Sequence, residues 1–115
     1  MVGKTKTPTR AERAHMEAVQ QLGCLACRIE GRYRPAEIHH ATDSGRRVGH
    51  YAVIPLCEWH HRAVPPADMR QSEALVMLGP SLARHPGAFR RHYGTDEELA
   101  RWAAQLAEQP AMEEF

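Results

Sequence analysis

No stretch of this 115-residue chain approaches the roughly twenty consecutive apolar residues that a membrane span requires. Leu75-Val76-Met77-Leu78 reads as one buried helix turn, and nothing is expected to cross a membrane. Cysteine is scarce. There are three, an odd number, and together with the lack of an apolar run near Met1 this argues against a secreted disulfide framework and for a cytoplasmic protein. Internal repeats and low-complexity segments are absent. So is a surplus of either charge, the formal net charge being +1. The charge is unevenly placed, however: residues 1–47 carry nine Lys and Arg against five Asp and Glu, and residues 48–115 carry six against nine. A basic front of this kind is compatible with a polyanion on one face. The chain suits one domain, spanning 9–109, with a modest hydrophobic core that a metal tying distant segments together would help to fold.

The cysteines that are present have a pattern. Cys24-x-x-Cys27 and, thirty residues on, Cys57-x-x-His60 are spaced as two halves of one tetrahedral zinc site. Two residues three apart, on a knuckle or in a helix's first turn, bring both side chains to an ion at about 2.0 to 2.3 Å. Cys24 and Cys27 alone also suit a redox pair or a disulfide, but a thioredoxin-like motif needs a preceding strand and no further ligands. Structural zinc uses all three cysteines.

Helix signals are clear at both ends of the chain. Thr9 with Glu12 forms a capping-box pattern opening a helix from Arg10 to Gln21, which Gly23 ends, while Met1–Pro8 reads as a basic arm, disordered when free. Ala36–His40 and Ala52–Leu56 read as two short strands paired antiparallel around a loop over 41–50, with Pro55 suiting a strand edge. A short helix from Cys57 carries Trp59, His60, His61 and Arg62 as far as Val64-Pro65-Pro66. Asp68 is expected to cap a further helix reaching Leu78, stopped by Gly79-Pro80. Phe89–Tyr93 reads as a helical turn stopped by Gly94. Thr95 with Glu98 opens a terminal helix whose Leu99, Trp102, Ala103 and Leu106 form a core-facing stripe, with residues 110–115 a frayed tail.

Two histidine doublets flank these elements. His39-His40 closes the first strand, and since a regular pleat sends neighbours to opposite faces, the strand must stop there if both serve one site. His60 and His61 project about 100° apart on their helix, so one can bind zinc while the other points to a second metal beside the first doublet. His15, His85 and His92 read as surface or core residues, although His85 or His92 can be imagined completing another metal site.

The segment Glu37-Ile38-His39-His40, with Gly45 and Gly49, then Ile54-Pro55-Leu56-Cys57-x-x-His60-His61, resembles the HNH nucleases. The resemblance implies an α+β fold: a small, zinc-stabilised ββα-metal core with flanking helices. It gives His40 the place of the general base, and His39 and His61 the ligand positions of a catalytic Mg²⁺ or Mn²⁺. Cys24, Cys27, Cys57 and His60 take the structural Zn²⁺, while Arg46, Arg47 and Arg62 contact DNA phosphates. A neutral imidazole can deprotonate water for phosphodiester hydrolysis while a metal stabilises charge on the phosphate and leaving oxygen. Two departures are visible. The family's central Asn, which pins the hairpin loop, would fall at Tyr51 or Ala52, so bracing must come from His50 or backbone groups; and His39 stands where Asp is usual, favouring Mn²⁺, Ni²⁺ or Co²⁺ over Mg²⁺.

Further motifs narrow the likeness. Gly45-Arg46-Arg47-x-Gly49-His50, Trp59-His60-His61-Arg62-x-Val64-Pro65-Pro66, Gly79-Pro80-Ser81-Leu82-Ala83, Phe89, Tyr93-Gly94 and Glu98-Leu99 are similar to the phage recombination-enhancement nucleases of the Ref family. That likeness implies an endonuclease of phage or prophage origin, with the RecA filament as partner and the displacement loop as the DNA it cuts. A noncatalytic zinc-bound DNA-binding or adaptor module is the alternative, and the two readings part at His40.

Overall fold

The computed structural model describes residues 7–108, so residues 1–6 of the expected arm over 1–8, and the expected tail over 110–115, lie outside the described residues. Among the described residues six helices and four short strands make a mixed helix-and-sheet fold, in the order α1 (Arg10–Gln20), α2 (Leu25–Ile29), β1 (Glu37–His40), β2 (Thr42–Asp43), β3 (Arg46–Arg47), β4 (Val53–Leu56), α3 (Glu58–Arg62), α4 (Gln71–Leu78), α5 (Pro86–Tyr93) and α6 (Asp96–Ala107).

β1 and β4 pair antiparallel, His39 opposite Ile54 and His40 opposite Val53. All four β4 residues are buried, because α1, α2, α3 and α6 all pack against the strand. That explains its unbroken Val-Ile-Pro-Leu sequence: a strand buried at every position has no place for a polar residue. Pro55 costs little there, since a two-stranded sheet leaves each strand an unpaired edge. The core continues through Val19, Leu25, Trp59, Phe89, Leu99 and Ala103. In the terminal stripe Leu99 and Ala103 are buried, and Trp102 and Leu106 pack partly buried against that core.

The local helix signals act as read. Thr9 Oγ1 accepts the Glu12 N–H and Glu12 returns the bond to Thr9 N; Thr95 and Glu98 repeat the reciprocal pair at α6. Four expectations need correction. Asp68 does not cap α4: it sits in the left-handed region at φ +69°, which Asp tolerates, and the cap position falls two residues later at Arg70, whose N–H Glu73 accepts. Leu75, Val76 and Met77 are not buried but 39, 82 and 62% exposed, because α4 rests on the core only through Ala74 and Leu78. α5 begins at Pro86 rather than Phe89, since proline at the first helical position gives up an N–H that has no partner there anyway. Finally, the 41–50 loop contains the β2–β3 hairpin, turned by Ser44 and Gly45, both at positive φ as a type I′ turn requires. Among the described residues no helix is long and apolar enough to cross a membrane.

Gly79 ends α4 where only glycine fits. Its φ is +89° with ψ −176°, and a Cβ would stand 2.5 Å from the Tyr93 hydroxyl. Tyr93 donates to Leu78 O at 3.0 Å, and the Trp59 indole donates to Gly79 O at 2.8 Å. Gly79→Ala is therefore expected to destabilise the metal-saturated protein by about 2 kcal/mol or more, read as a lowered midpoint in thermal denaturation; an unchanged midpoint would refute the strain.

Candidate metal and catalytic centre

Two sites flank α3. The first is built from helix starts. Cys24 caps α2 and Cys57 caps α3, each sulfur accepting the backbone N–H three residues on, at 3.4 and 3.5 Å. This geometry puts Cys27 and His60 on the first turn of each helix, facing the capping sulfur. Cys24, Cys27 and Cys57 Sγ lie 3.4, 3.6 and 3.3 Å from His60 Nδ1, and the Cys27 and Cys57 sulfurs are 3.9 Å apart. Tetrahedral zinc with ordinary bond lengths sets its ligands about 3.6 Å (S to N) and 3.8 Å (S to S) apart, so the donor set fits zinc. No disulfide joins these cysteines. All four side chains are buried, and their ligand atoms all lie within 4.8 Å of one another, close enough to share one metal ion. His60 Nε2–H donates to Leu78 O at 2.7 Å, fixing the tautomer that leaves Nδ1 for the ion. The protonation of the ion-free cluster tells the same story. Burial pulls His60 down, but the Cys24 and Cys57 sulfurs outweigh it and push the imidazole up to about 9. Hydrogen bonds from the Cys24 and Cys27 thiols hold Cys57 well below the usual thiol range, while those with Cys24 and Cys57 push Cys27 up. An incoming cation displaces the protons for which these four groups compete.

The second site gathers His39 and His40 from β1, His50 from the loop, His61 from α3, and two carboxylates that the sequence reading gave no role. His39 and His61 meet edge to face, their ring centroids 5.2 Å apart. His61 Nδ1–H donates to Glu37 Oε1 at 2.8 Å, leaving Nε2 with the lone pair. Arg62 grips the same carboxylate through Nε (2.9 Å) and Nη2 (2.5 Å), and the guanidinium, with His61, holds Glu37 down at about 2 despite partial burial. Arg62 thus braces the carboxylate behind His61 as well as presenting a half-exposed charge. His39 Nε2 lies 3.5 Å from Asp96 Oδ2, too far for a good hydrogen bond, and is buried without one. Burial pulls His39 below its ordinary value, with Asp96 opposing, so the ring is neutral at pH 7. Asp96, at the start of α6, also accepts from Thr42 N at 3.0 Å and from Arg90 at 3.4 Å. Burial pushes Asp96 up, yet the Thr42 N–H, His39 and Arg90 more than offset it.

β1 ends at His40, whose side chain goes to a different neighbour: its Nε2 is 3.1 Å from His50 Nδ1. Burial, then Arg47, His50 and His39, lower His40 below its ordinary value. Arg46 and Arg47 lie exposed on β3. A groove of about 1100 Å³ borders this side, lined by Thr42, His50, Arg90, Asp96 and Arg101 among others. The remaining histidines are engaged elsewhere: His15 with Tyr51 O, His85 as acceptor of the Ser81 N–H, and His92 with Glu30. Of the two missed carboxylates, Glu37 had a signal, since it precedes His39 by two and so shares its face of β1. Asp96 had none, being 57 positions from His39. A family model described as recombination enhancement, RecA-dependent nuclease matches residues 8–108.

Proposed function

Because the chain belongs to the family of recombination-enhancement, RecA-dependent nucleases, we propose that it is an HNH endonuclease that hydrolyses phosphodiester bonds in DNA paired by a RecA filament. The observation that carries the HNH reading is the second site. The β1–β4 pair runs directly into α3, bringing His39 and His61 within one ring contact of each other beside His40. His61 has a carboxylate hydrogen-bonded behind it, the arrangement that orients metal-ligating imidazoles. The buried, unpartnered His39 Nε2 supports the fit of a cation.

On this reading His39 and His61 hold a divalent ion, which when bound polarises the phosphate and stabilises the leaving oxygen. His40, neutral at pH 7, takes a proton from the attacking water, and Arg46, Arg47 and the exposed part of Arg62 contact neighbouring phosphates. The test is cleavage of single-stranded, duplex and RecA-paired DNA with Mg²⁺ and Mn²⁺ in parallel. Cutting confined to paired DNA supports the RecA-directed reading; full cleavage of duplex without a filament removes it. With an imidazole pair as ligands, Mn²⁺ is expected to support cleavage at lower concentration than Mg²⁺, and equal activity at sub-millimolar Mg²⁺ would contradict that ligand set.

The pH dependence has a definite sign. A base works when deprotonated, so the single-turnover rate is level above neutrality and falls about tenfold per unit once pH drops below the His40 pKa. Burial and Arg47 put that inflection below the ordinary histidine value of about 6.5. Arg47→Gln removes one lowering cause and is expected to move the inflection up; no movement would place the titrating group elsewhere.

A further inference from the structure

We propose that His50 is a positioning residue for His40: its Nδ1 accepts the His40 Nε2–H, which leaves His40 Nδ1 as the nitrogen that takes the proton from water. This rests on the reading of His40 as the base. A neutral imidazole carries one proton, and the hydrogen bond at one nitrogen decides which nitrogen has the free lone pair. The two rings are 3.1 Å apart at Nε2 and Nδ1 and meet edge to face, at 75°.

The opposite arrangement, with His50 donating to His40, puts the His40 proton on Nδ1 and leaves no lone pair for water. It also fails as the reaction proceeds. Once His40 has accepted a proton both its nitrogens are donors, so Nε2 must face an acceptor, and His50 Nδ1 is the group in reach.

His50 is well placed to hold that position. It is buried, and the backbone is pinned on both sides of it: Val48 N donates to Ala41 O, Ala52 N to Gly49 O, and Ala41 N to Ala52 O. The pairing also divides the histidines by task. His61 is backed by the Glu37 carboxylate and His39 stands near that of Asp96, negative charge that suits cation binding, whereas the partner of His40 is another imidazole, which orients the ring without adding a negative charge.

The experiment compares zinc-loaded wild type with His50→Phe and His50→Asn on RecA-paired DNA in Mn²⁺, and reads the tautomer of His40 by long-range ¹H–¹⁵N correlation NMR near neutral pH. Phe keeps the ring but has no acceptor; Asn sets Oδ1 close to where Nδ1 stands. Phe is expected to lower the single-turnover rate roughly 10- to 100-fold, the scale of outer-shell partners, with half-saturation unchanged, and Asn is expected to restore most of it. The spectra are expected to show His40 protonated at Nε2 in wild type and in the Asn variant, and a mixture of tautomers in the Phe variant. Wild-type His40 protonated at Nδ1, or a Phe variant cutting at the wild-type rate, overturns the proposal. If wild type cuts none of the substrates, the nuclease reading fails by itself, and the tautomer still decides the pairing: Nε2–H upholds it and Nδ1–H overturns it.

Discussion

Stripping the metal from Cys24, Cys27, Cys57 and His60 is expected to abolish the cooperative melt of this protein. Those ligands join the first turns of α2 and α3, and through the His60 bond to Leu78 O they also fix the end of α4. All four are at most 1% exposed, so without an ion the core holds three thiols and an imidazole competing for protons at contact distance. Binding at structural zinc sites contributes on the order of 10 to 16 kcal/mol, which matches or exceeds the roughly 5 to 15 kcal/mol stability of a typical domain. Thermal denaturation followed by circular dichroism, with and without a strong chelator and after adding zinc back, measures this directly. A sharp transition unmoved by the chelator would mean that the apolar core suffices. Cys57→Ala, which removes one of the four ligands, is expected to mimic the chelator.

His40→Ala carries the second large effect, with a different signature. Losing a general base costs roughly 10² to 10⁴ in rate, while folding and DNA affinity are expected to change little. His40 is only partly buried, lies outside the zinc cluster, and its side-chain partner is His50 rather than the core. Single-turnover cleavage beside a melting curve and a binding titration separates the cases. A variant that folds, binds DNA and no longer cuts supports hydrolysis through His40. A zinc-loaded wild type that binds DNA and cuts nothing would favour the adaptor reading, since an adaptor has no rate to lose.

Local signals in the chain were legible where one residue type has one physical use. The capping boxes at Thr9 and Thr95 work within four residues, so their sequence is nearly their structure. The Cys-x-x-Cys and Cys-x-x-His spacings are likewise local, and each half forms on its own helix start. The failures came where more than one conformation suited the sequence. Asp68 is a good cap and also a good left-handed residue, and the chain leaving Pro65-Pro66 takes the second option. Leu75-Val76-Met77 reads as core, but how far a helix is buried depends on what lies across from it, and α4 is covered on one narrow side. Exposure of that turn follows from packing, which periodicity does not encode.

By itself the sequence determined the capped starts of α1 and α6, the pairing of β1 with β4 and the two halves of the zinc cluster, because hydrogen bonds, strand patterning and ligand reach within short segments decide them. The tertiary structure decided how the histidines are partnered. Asp96 reaches His39 from 57 positions away, and Glu37 meets His61 across 24, with Arg62 held to the same carboxylate. His40 turns to His50 rather than to any of these. Such pairings depend on where α3, α6 and the β2–β3 hairpin come to rest around β1, and that is fixed by burial of β4 and of the zinc cluster together, a many-body packing that no local spacing specifies.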